Sequence, residues 1–178
     1  MLMCTEIEAK LKVESHNEIV KKLIRLGAEF LAEQLQTDYY FDDTNSQLTK
    51  TDRCLRLRRQ LISGQETIFL TYKGPKEKDE FKKRQEIEIQ VSSADSAEKL
   101  LSALAYERAL VFEKKRRIWR IGECEVALDD LPLLGSFVEI EGPDGERIAD
   151  VQKSLGLANL PHILESYAGL VEKKLKKK

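Results

Sequence analysis

The sequence predicts an α+β fold: eight strands, enough to close a β-barrel, with helices packed on the outside. Three observations carry this. Apolar–polar alternation at strand period recurs in eight short segments. Two of those segments are followed by a helix start signal and a leucine-rich run. The charges of the strands collect on one face, and the apolar residues collect on the other. At 178 residues the chain is expected to form one domain spanning 1–178, long enough to bury roughly 70% of the surface it exposes unfolded. Alternation alone leaves an open sheet with a wet polar face as the alternative.

TEIEAKLKV, Thr5 to Val13, is the first strand, with Glu6, Glu8, Lys10 and Lys12 opposite Ile7, Ala9, Leu11 and Val13. Ser15 and Glu18 have capping-box spacing before an amphipathic helix carrying Ile19, Val20, Leu23, Ile24 and Leu26, ended by Gly27. Gln36 to Phe41 is a strand, and Asp42 to Asn45 open a loop. Cys54–Leu61 and Thr67–Lys73 are strands joined at Ser63-Gly64. Gly74-Pro75 ends the second, and KEKDEFKK, residues 76–83, reads as an exposed charged loop. Arg84 to Val91 repeats the opening pattern, and Asp95 and Glu98 again have cap spacing before Leu100, Leu101, Leu104 and Ala105. Strands follow at about Leu110–Ile121, Cys124–Asp130 and Ser136–Gly142. Two last helices are expected, at about Glu146–Leu155 and His162–Leu175. The return of Glu-Ile-Glu at 86 and 88, each time before a helix, is a weak two-copy internal repeat.

Composition narrows the function. Thirty Lys and Arg against 31 Asp and Glu leave a net charge of −1, which argues against a general nucleic-acid binder. Three cysteines at 4, 54 and 124 lack metal-ligand spacing, so reduced thiols in a cytoplasmic protein are expected, with Cys54 and Cys124 packed in the core. No signal-peptide pattern or membrane-length apolar run is present. The basic tail at about 171–178 reads as a solvated end, and His16 and His162 as helix-end residues.

The sorting of charge says more than its sum. Glu6, Glu8 and Lys10, then Arg56 and Arg58, Glu86 and Glu88, Asp129, and Glu139 and Glu141 all lie opposite apolar neighbours. Like charges in adjacent same-face positions repel unless something neutralises them. Grouped carboxylates suit a hard divalent cation, and grouped arginines suit phosphate oxygens. In VFEKKRRIWRI, Val111 to Ile121, both faces are charged; Trp119 and Ile121 share the face of Lys115, which puts Lys114 and Arg116 on the polar side.

These segments together resemble the CYTH superfamily, the triphosphate tunnel metalloenzymes, which includes class IV adenylyl cyclases and thiamine triphosphatases. EIEAK at 6–10 resembles its Glu-x-Glu-x-Lys signature; LRLR at 55–58, YKGP at 72–75, EIE at 86–88, EKKRRIW at 113–119 and ALDDLPLLGSFVEIEG at 127–142 follow in the family's order. The resemblance implies an eight-stranded antiparallel tunnel holding a triphosphate and one or two divalent metals, Mg²⁺ or Mn²⁺. It implies Glu6, Glu8, Glu139 and Glu141 as leading metal ligands. Glu86, Glu88 and Asp129 would complete the acidic side or orient water, with Asp129 also a candidate ligand. It implies Lys10, Arg56, Arg58, Lys73, Lys114 and Arg116 as the grip on phosphate, and Glu6, Glu8, Lys10, Glu86 and Glu88 as the catalytic set.

The expected partner is a small triphosphate (ATP, tripolyphosphate or thiamine triphosphate), met by a monomer or homodimer without nucleic acid or membrane. The expected reaction is metal-dependent hydrolysis of the terminal phosphate, because some cyclases of the family lack the second Glu-x-Glu. Conversion of ATP to cyclic AMP and pyrophosphate is the alternative, supported by overall size and by ESYAGL at 165–170, which resembles the cyclase-like branch. A non-catalytic polyphosphate or nucleotide binder is the third.

Overall fold

Eight antiparallel strands close into a barrel in the order β1-β5-β4-β3-β2-β6-β7-β8, and β8 pairs back onto β1. The structure, a computed structural model, describes residues 4–77 and 81–177, with the side chains of Cys4 and Thr5 excepted. The expectations for Cys4, for positions 78–80 of the charged loop and for Lys178 lie outside the described residues. The strands are β1 (Cys4–Val13), β2 (Glu29–Asp42), β3 (Cys54–Ile62), β4 (Gln65–Lys73), β5 (Lys82–Val91), β6 (Glu107–Ile121), β7 (Cys124–Leu131) and β8 (Gly135–Glu141). The helices are α1 (Asn17–Arg25), α2 (Gln47–Lys50), α3 (Ala94–Ala103), α4 (Gly145–Ser154) and α5 (Tyr167–Leu175). Among the described residues, no helix is long and apolar enough to cross a membrane.

The barrel is inverted relative to an ordinary one: its apolar faces point outward and are buried by helices. Ala9, Leu11, Val126, Leu128, Val138 and Ile140 pack against Ile19 and Leu23 of α1 and Ile148 of α4, with Leu155 just beyond it. On the opposite side Phe41 and Leu57 pack under Ala97 and Leu101 of α3. A third cluster lies inside one end, where Tyr167 and Val171 of α5 meet Phe112, Leu131 and Phe137. These three inward positions are apolar, so α5 corks this end of the lumen and leaves the rest for polar groups.

Several elements differ from the sequence reading for identifiable reasons. His16, not Ser15, occupies the N-cap of α1 without a side-chain cap; its Nε2 is 2.9 Å from the Phe137 carbonyl, which requires the proton on that nitrogen. Ser93, not Asp95, caps α3 by accepting from Ser96 N–H. β2 starts at Glu29 rather than Gln36, because a long ladder with β6, containing two irregularities, carries it. α2 falls in the loop that the sequence opens at Asp42; the Asp42 carboxylate accepts from Leu48 and Thr49 N–H and starts the short helix. The last helix begins at Tyr167, capped by Ser166, and not at His162. The preceding residues carry no regular structure, and Ile163 N–H donates to the Lys10 carbonyl at 2.8 Å. The Ser63-Gly64 turn is as expected, with φ of 49° and 83°, the twist that suits a two-residue hairpin.

Leu128 is fully buried beneath the helices, whereas Leu100 on α3 is 59% exposed. Leu128→Ala is expected to cost about 2–5 kcal/mol in urea unfolding. Leu100→Ala is expected to stay within about 0.5 kcal/mol of the parent.

Candidate active site

Strand parity carries the charged residues inward, where they line a cavity of about 530 Å³. Glu6, Glu8 and Lys10 come from β1, Arg56 and Arg58 from β3, Lys73 from β4, Glu86 and Glu88 from β5, Lys114 and Arg116 from β6, and Glu139 and Glu141 from β8. Every sequence-derived candidate except Asp129 is therefore on the wall. Lys114 is 3% exposed, so β6 does turn the Lys114/Arg116 face to the lumen while Trp119 packs outward.

Asp129 lies behind the wall, with no exposed surface. Arg116 reaches it through Nε at 2.6 Å and also through Nη2; Lys114 Nζ is at 3.3 Å, and the Tyr167 hydroxyl donates at 2.9 Å. Burial opposes its ionisation, but Arg116 and Lys114 hold its carboxyl below the usual range. These donors engage both oxygens. In this geometry Asp129 orients the basic side chains and does not face the cavity.

The basic groups differ in how much donor capacity they keep. Arg58 makes a two-pronged bond to buried Asp38, at 2.6 and 2.7 Å. Burial works against the Asp38 anion, yet Arg58 holds its carboxyl far below the usual range. Arg56 is held loosely: it donates to the Thr71 hydroxyl at 3.2 Å and stands 3.5 Å from Glu88 and 4.0 Å from Glu86. Its Nε is buried with no hydrogen-bond partner, and so is the Nε of Arg84. Buried donors are rarely left unpaired in proteins, and two in one cavity wall fit an acceptor-rich ligand. Lys114 is pushed down to about 7, first by burial and then by Arg116. Its ammonium lies 4.8 Å over the Tyr167 ring, and that of Lys10 lies 4.3 Å over the same ring.

The acidic side spans β7, β8 and β1, where Glu125 registers with Glu141, Glu141 with Glu8, and Glu139 with Lys10. Lysines compensate part of it. Lys73 lies 2.7 Å from both Glu6 and Glu86, Lys82 is 2.5 Å from Glu8, and Lys10 is 3.2 Å from Glu139. Glu141 stands at the solvent-accessible rim, and its carboxyl rises to about 7, first through desolvation and then through Glu6, Glu8 and Glu125. Crowded all-oxygen donors whose repulsion resists ionisation fit a hard divalent cation. Among the described residues, no three of them already converge at ligating distance.

Sequence reading missed part of the wall. Residue 82 was placed in an exposed loop, but Lys82 is 7% exposed and Arg84 3%. Both share the parity of Glu86 and Glu88; the strand expected from Arg84 already contains Arg84, and extending it two residues reaches Lys82. Gln34, Gln36 and Asp38 share the inward parity of β2 in the same way. Cys124 is a core residue as expected, but Cys54 is half-buried and lines the cavity. Tyr167 lies in the ESYAGL segment, but nothing there marks it as a lumen residue; only closure of the barrel brings it beneath Lys10.

The chain matches the CYTH domain family over residues 5–167. It is 31% identical over 162 residues to a Methanocaldococcus jannaschii protein provisionally named an adenylate cyclase, covering 90% of this chain and 88% of that relative. It is 28% identical over 180 residues to adenylate cyclase CyaB of Aeromonas hydrophila, covering 96% and 90%. Among solved structures, the PH1819 protein of Pyrococcus horikoshii superposes with a TM-score of 0.81 at 29% identity, over 97% of this chain and 99% of that one.

Among the described residues, Asp38 is the one carboxylate paired with buried Arg58. Removing it in Asp38→Ala leaves a guanidinium uncompensated, so a stability loss of about 3–5 kcal/mol is expected in urea unfolding.

Proposed function

Since the chain belongs to the CYTH domain family, we propose that it is a divalent-metal-dependent enzyme that hydrolyses the terminal phosphate of a triphosphate bound inside the barrel. The carrying observation is the pair of buried arginines, Arg56 and Arg84, whose Nε donors have no partner in the cavity wall. Phosphate oxygens match the planar donor fork of a guanidinium. Lys10, Lys114 and Arg116 extend this basic surface, with Asp129 and Tyr167 fixing its geometry. Arg58, braced by Asp38, and Lys73 complete the grip.

Glu6, Glu8, Glu139 and Glu141 would hold the cation, Mg²⁺ or Mn²⁺. When bound, it neutralises phosphoryl charge. In hydrolysis, water attacks the terminal phosphorus and the leaving phosphate oxygen takes the bonding electrons. Glu88, accessible and accepting a 2.8 Å hydrogen bond from the Thr71 hydroxyl, would take the proton from that water, with Glu86 assisting. The basic wall stabilises the charge that develops on the oxygens, which is the main catalytic demand of phosphoryl transfer.

A second reading is favoured by the names of the 31% and 28% identical relatives. In it, the ribose 3′-hydroxyl of ATP attacks the α-phosphorus and pyrophosphate leaves. Incubation with Mg²⁺ or Mn²⁺ and, separately, ATP, tripolyphosphate and thiamine triphosphate distinguishes the two. Orthophosphate without cyclic AMP is the expected result; cyclic AMP with pyrophosphate selects the second reading, and binding without turnover selects a non-catalytic binder. Glu6→Gln and Arg56→Ala are each expected to lower turnover at least about a hundredfold.

The two groups near neutrality set opposite pH dependences. Glu141 must lose its proton to hold a cation, so Mn²⁺ affinity should rise as pH increases through about 7. Lys114 loses its charge as pH increases through about 7, so metal-free tripolyphosphate affinity should fall over the same range. Calorimetric titration between pH 5.5 and 8.5, roughly one to two units either side of these values, should show the first trend vanish in Glu141→Gln and the second flatten in Lys114→Met.

A further inference from the structure

Arg84 is enclosed in the cavity wall, but the group that holds it stands outside the lumen. Its Nε is buried without a hydrogen-bond partner. Its Nη2 donates to the Asp52 backbone carbonyl at 3.2 Å and lies 3.6 Å from Asp52 Oδ1. Among the described residues, Asp52 is the carboxylate paired with it. Arg84 lines both the main cavity and a smaller one of about 220 Å³, whereas Asp52 and Lys76 line the smaller one alone. Arg84 is thus part of a wall shared by two cavities, with Asp52 on its outer side.

Asp52 is an unusual residue for its place in the chain. It follows α2, where its N–H donates to the Thr49 carbonyl at 3.2 Å and Arg53 N–H donates to the Leu48 carbonyl at 2.8 Å. Helices that end in this bond pattern do so on a left-handed residue, most often glycine. Asp52 has φ of 53°, a conformation that strains a residue carrying a side chain. Glycine would relieve the strain, but it would remove the carboxylate. That carboxylate accepts from Lys76 N–H at 2.8 Å and pairs with the Lys76 ammonium. The segment around Lys76 is laid against β5 on either side of Arg84. Gly74 N–H donates to the Gln85 carbonyl at 2.9 Å, and Glu77 N–H to the Lys83 carbonyl at 2.8 Å. Asp52 therefore ties together the turn entering β3, the segment leaving β4 and the start of β5. Those strands carry Arg56, Lys73 and Arg84.

We propose that Asp52 is a positioning residue for the phosphate site: it holds Arg84 by its outer nitrogen and so keeps Nε available to a phosphate oxygen in the lumen. The inference rests on the triphosphate reading above and adds to it a residue that touches no ligand. The carboxylate is half-exposed and paired with Lys76, so solvent and that ammonium screen its field at the lumen. Its loss is then felt through the orientation of Arg84, and weakens the binding of an anion that a bare negative charge nearby would repel.

A mutant cycle on the full chain, read by calorimetric titration of tripolyphosphate without metal, tests this without requiring turnover. Asp52→Asn and Asp52→Gly both suit the left-handed position, so each keeps the turn while removing the carboxylate. Each is expected to weaken binding about tenfold in the parent, but less than about twofold in an Arg84→Met or Arg84→Lys background, because Asp52 acts through Arg84. Equal losses in the parent and in the Arg84 backgrounds make Asp52 a general support of the fold. Tighter binding makes it a simple repulsive charge, and unchanged binding leaves Arg84 independent of it. Each of these three results overturns the proposal and leaves the triphosphate reading intact. A parent chain that binds no tripolyphosphate overturns both.

Discussion

Lys10 is fully enclosed in the barrel, and it can be there only because opposite charge and polarisable surface surround it. Glu139 lies on one side, the Glu165 carbonyl accepts from its ammonium at 3.1 Å, and the Tyr167 ring lies beneath. Burial still lowers its pKa despite these partners. The same requirement extends around the lumen: a buried charge without compensation costs several kcal/mol, so the inner wall has to be a connected network. Arg58 needs Asp38, Arg116 needs Asp129 and Glu139, and Lys82 needs Glu8. The outer apolar faces and their helices provide the packing that holds this network in place.

The C-terminal segment joins these two systems. Tyr167 sits in an apolar cluster with Phe137 and Val171, donates to Asp129, and underlies both Lys10 and Lys114. Asp129 in turn sets Arg116. Placement of α5 therefore decides the geometry of three basic groups at once, although α5 itself contributes little charge to the lumen.

Alternation made most of this legible. Period-two parity located all eight strands and put twelve of the thirteen site candidates on the wall, since a strand residue has only two faces to choose from. What it missed follows from where strands end. β5 starts at Lys82 and β2 at Glu29 because neighbouring ladders extend them, and pairing partners are not visible within one segment. Closure was not legible from alternation either, because an open sheet presents the same pattern; the ordered motifs of the resemblance implied it. Asp129 has the inward parity of a wall residue, but α5 and Arg116 cover it, and only tertiary structure decides that.

Net charge near zero has a different meaning once the lumen is seen as paired. Lys73 bridges Glu6 and Glu86, and Lys82 compensates Glu8. A polyanion that draws these ammonium groups towards itself leaves the carboxylates short of positive charge. Carboxylates in that position either take up protons, as the raised Glu141 carboxyl at the rim already tends to do, or recruit a cation. In the proposed function, polyanion and divalent cation would therefore favour each other's binding through the lysines, even where neither touches the other. The coupling is reciprocal by necessity, and it arises from how closely the two signs of charge are interleaved, whatever their sum.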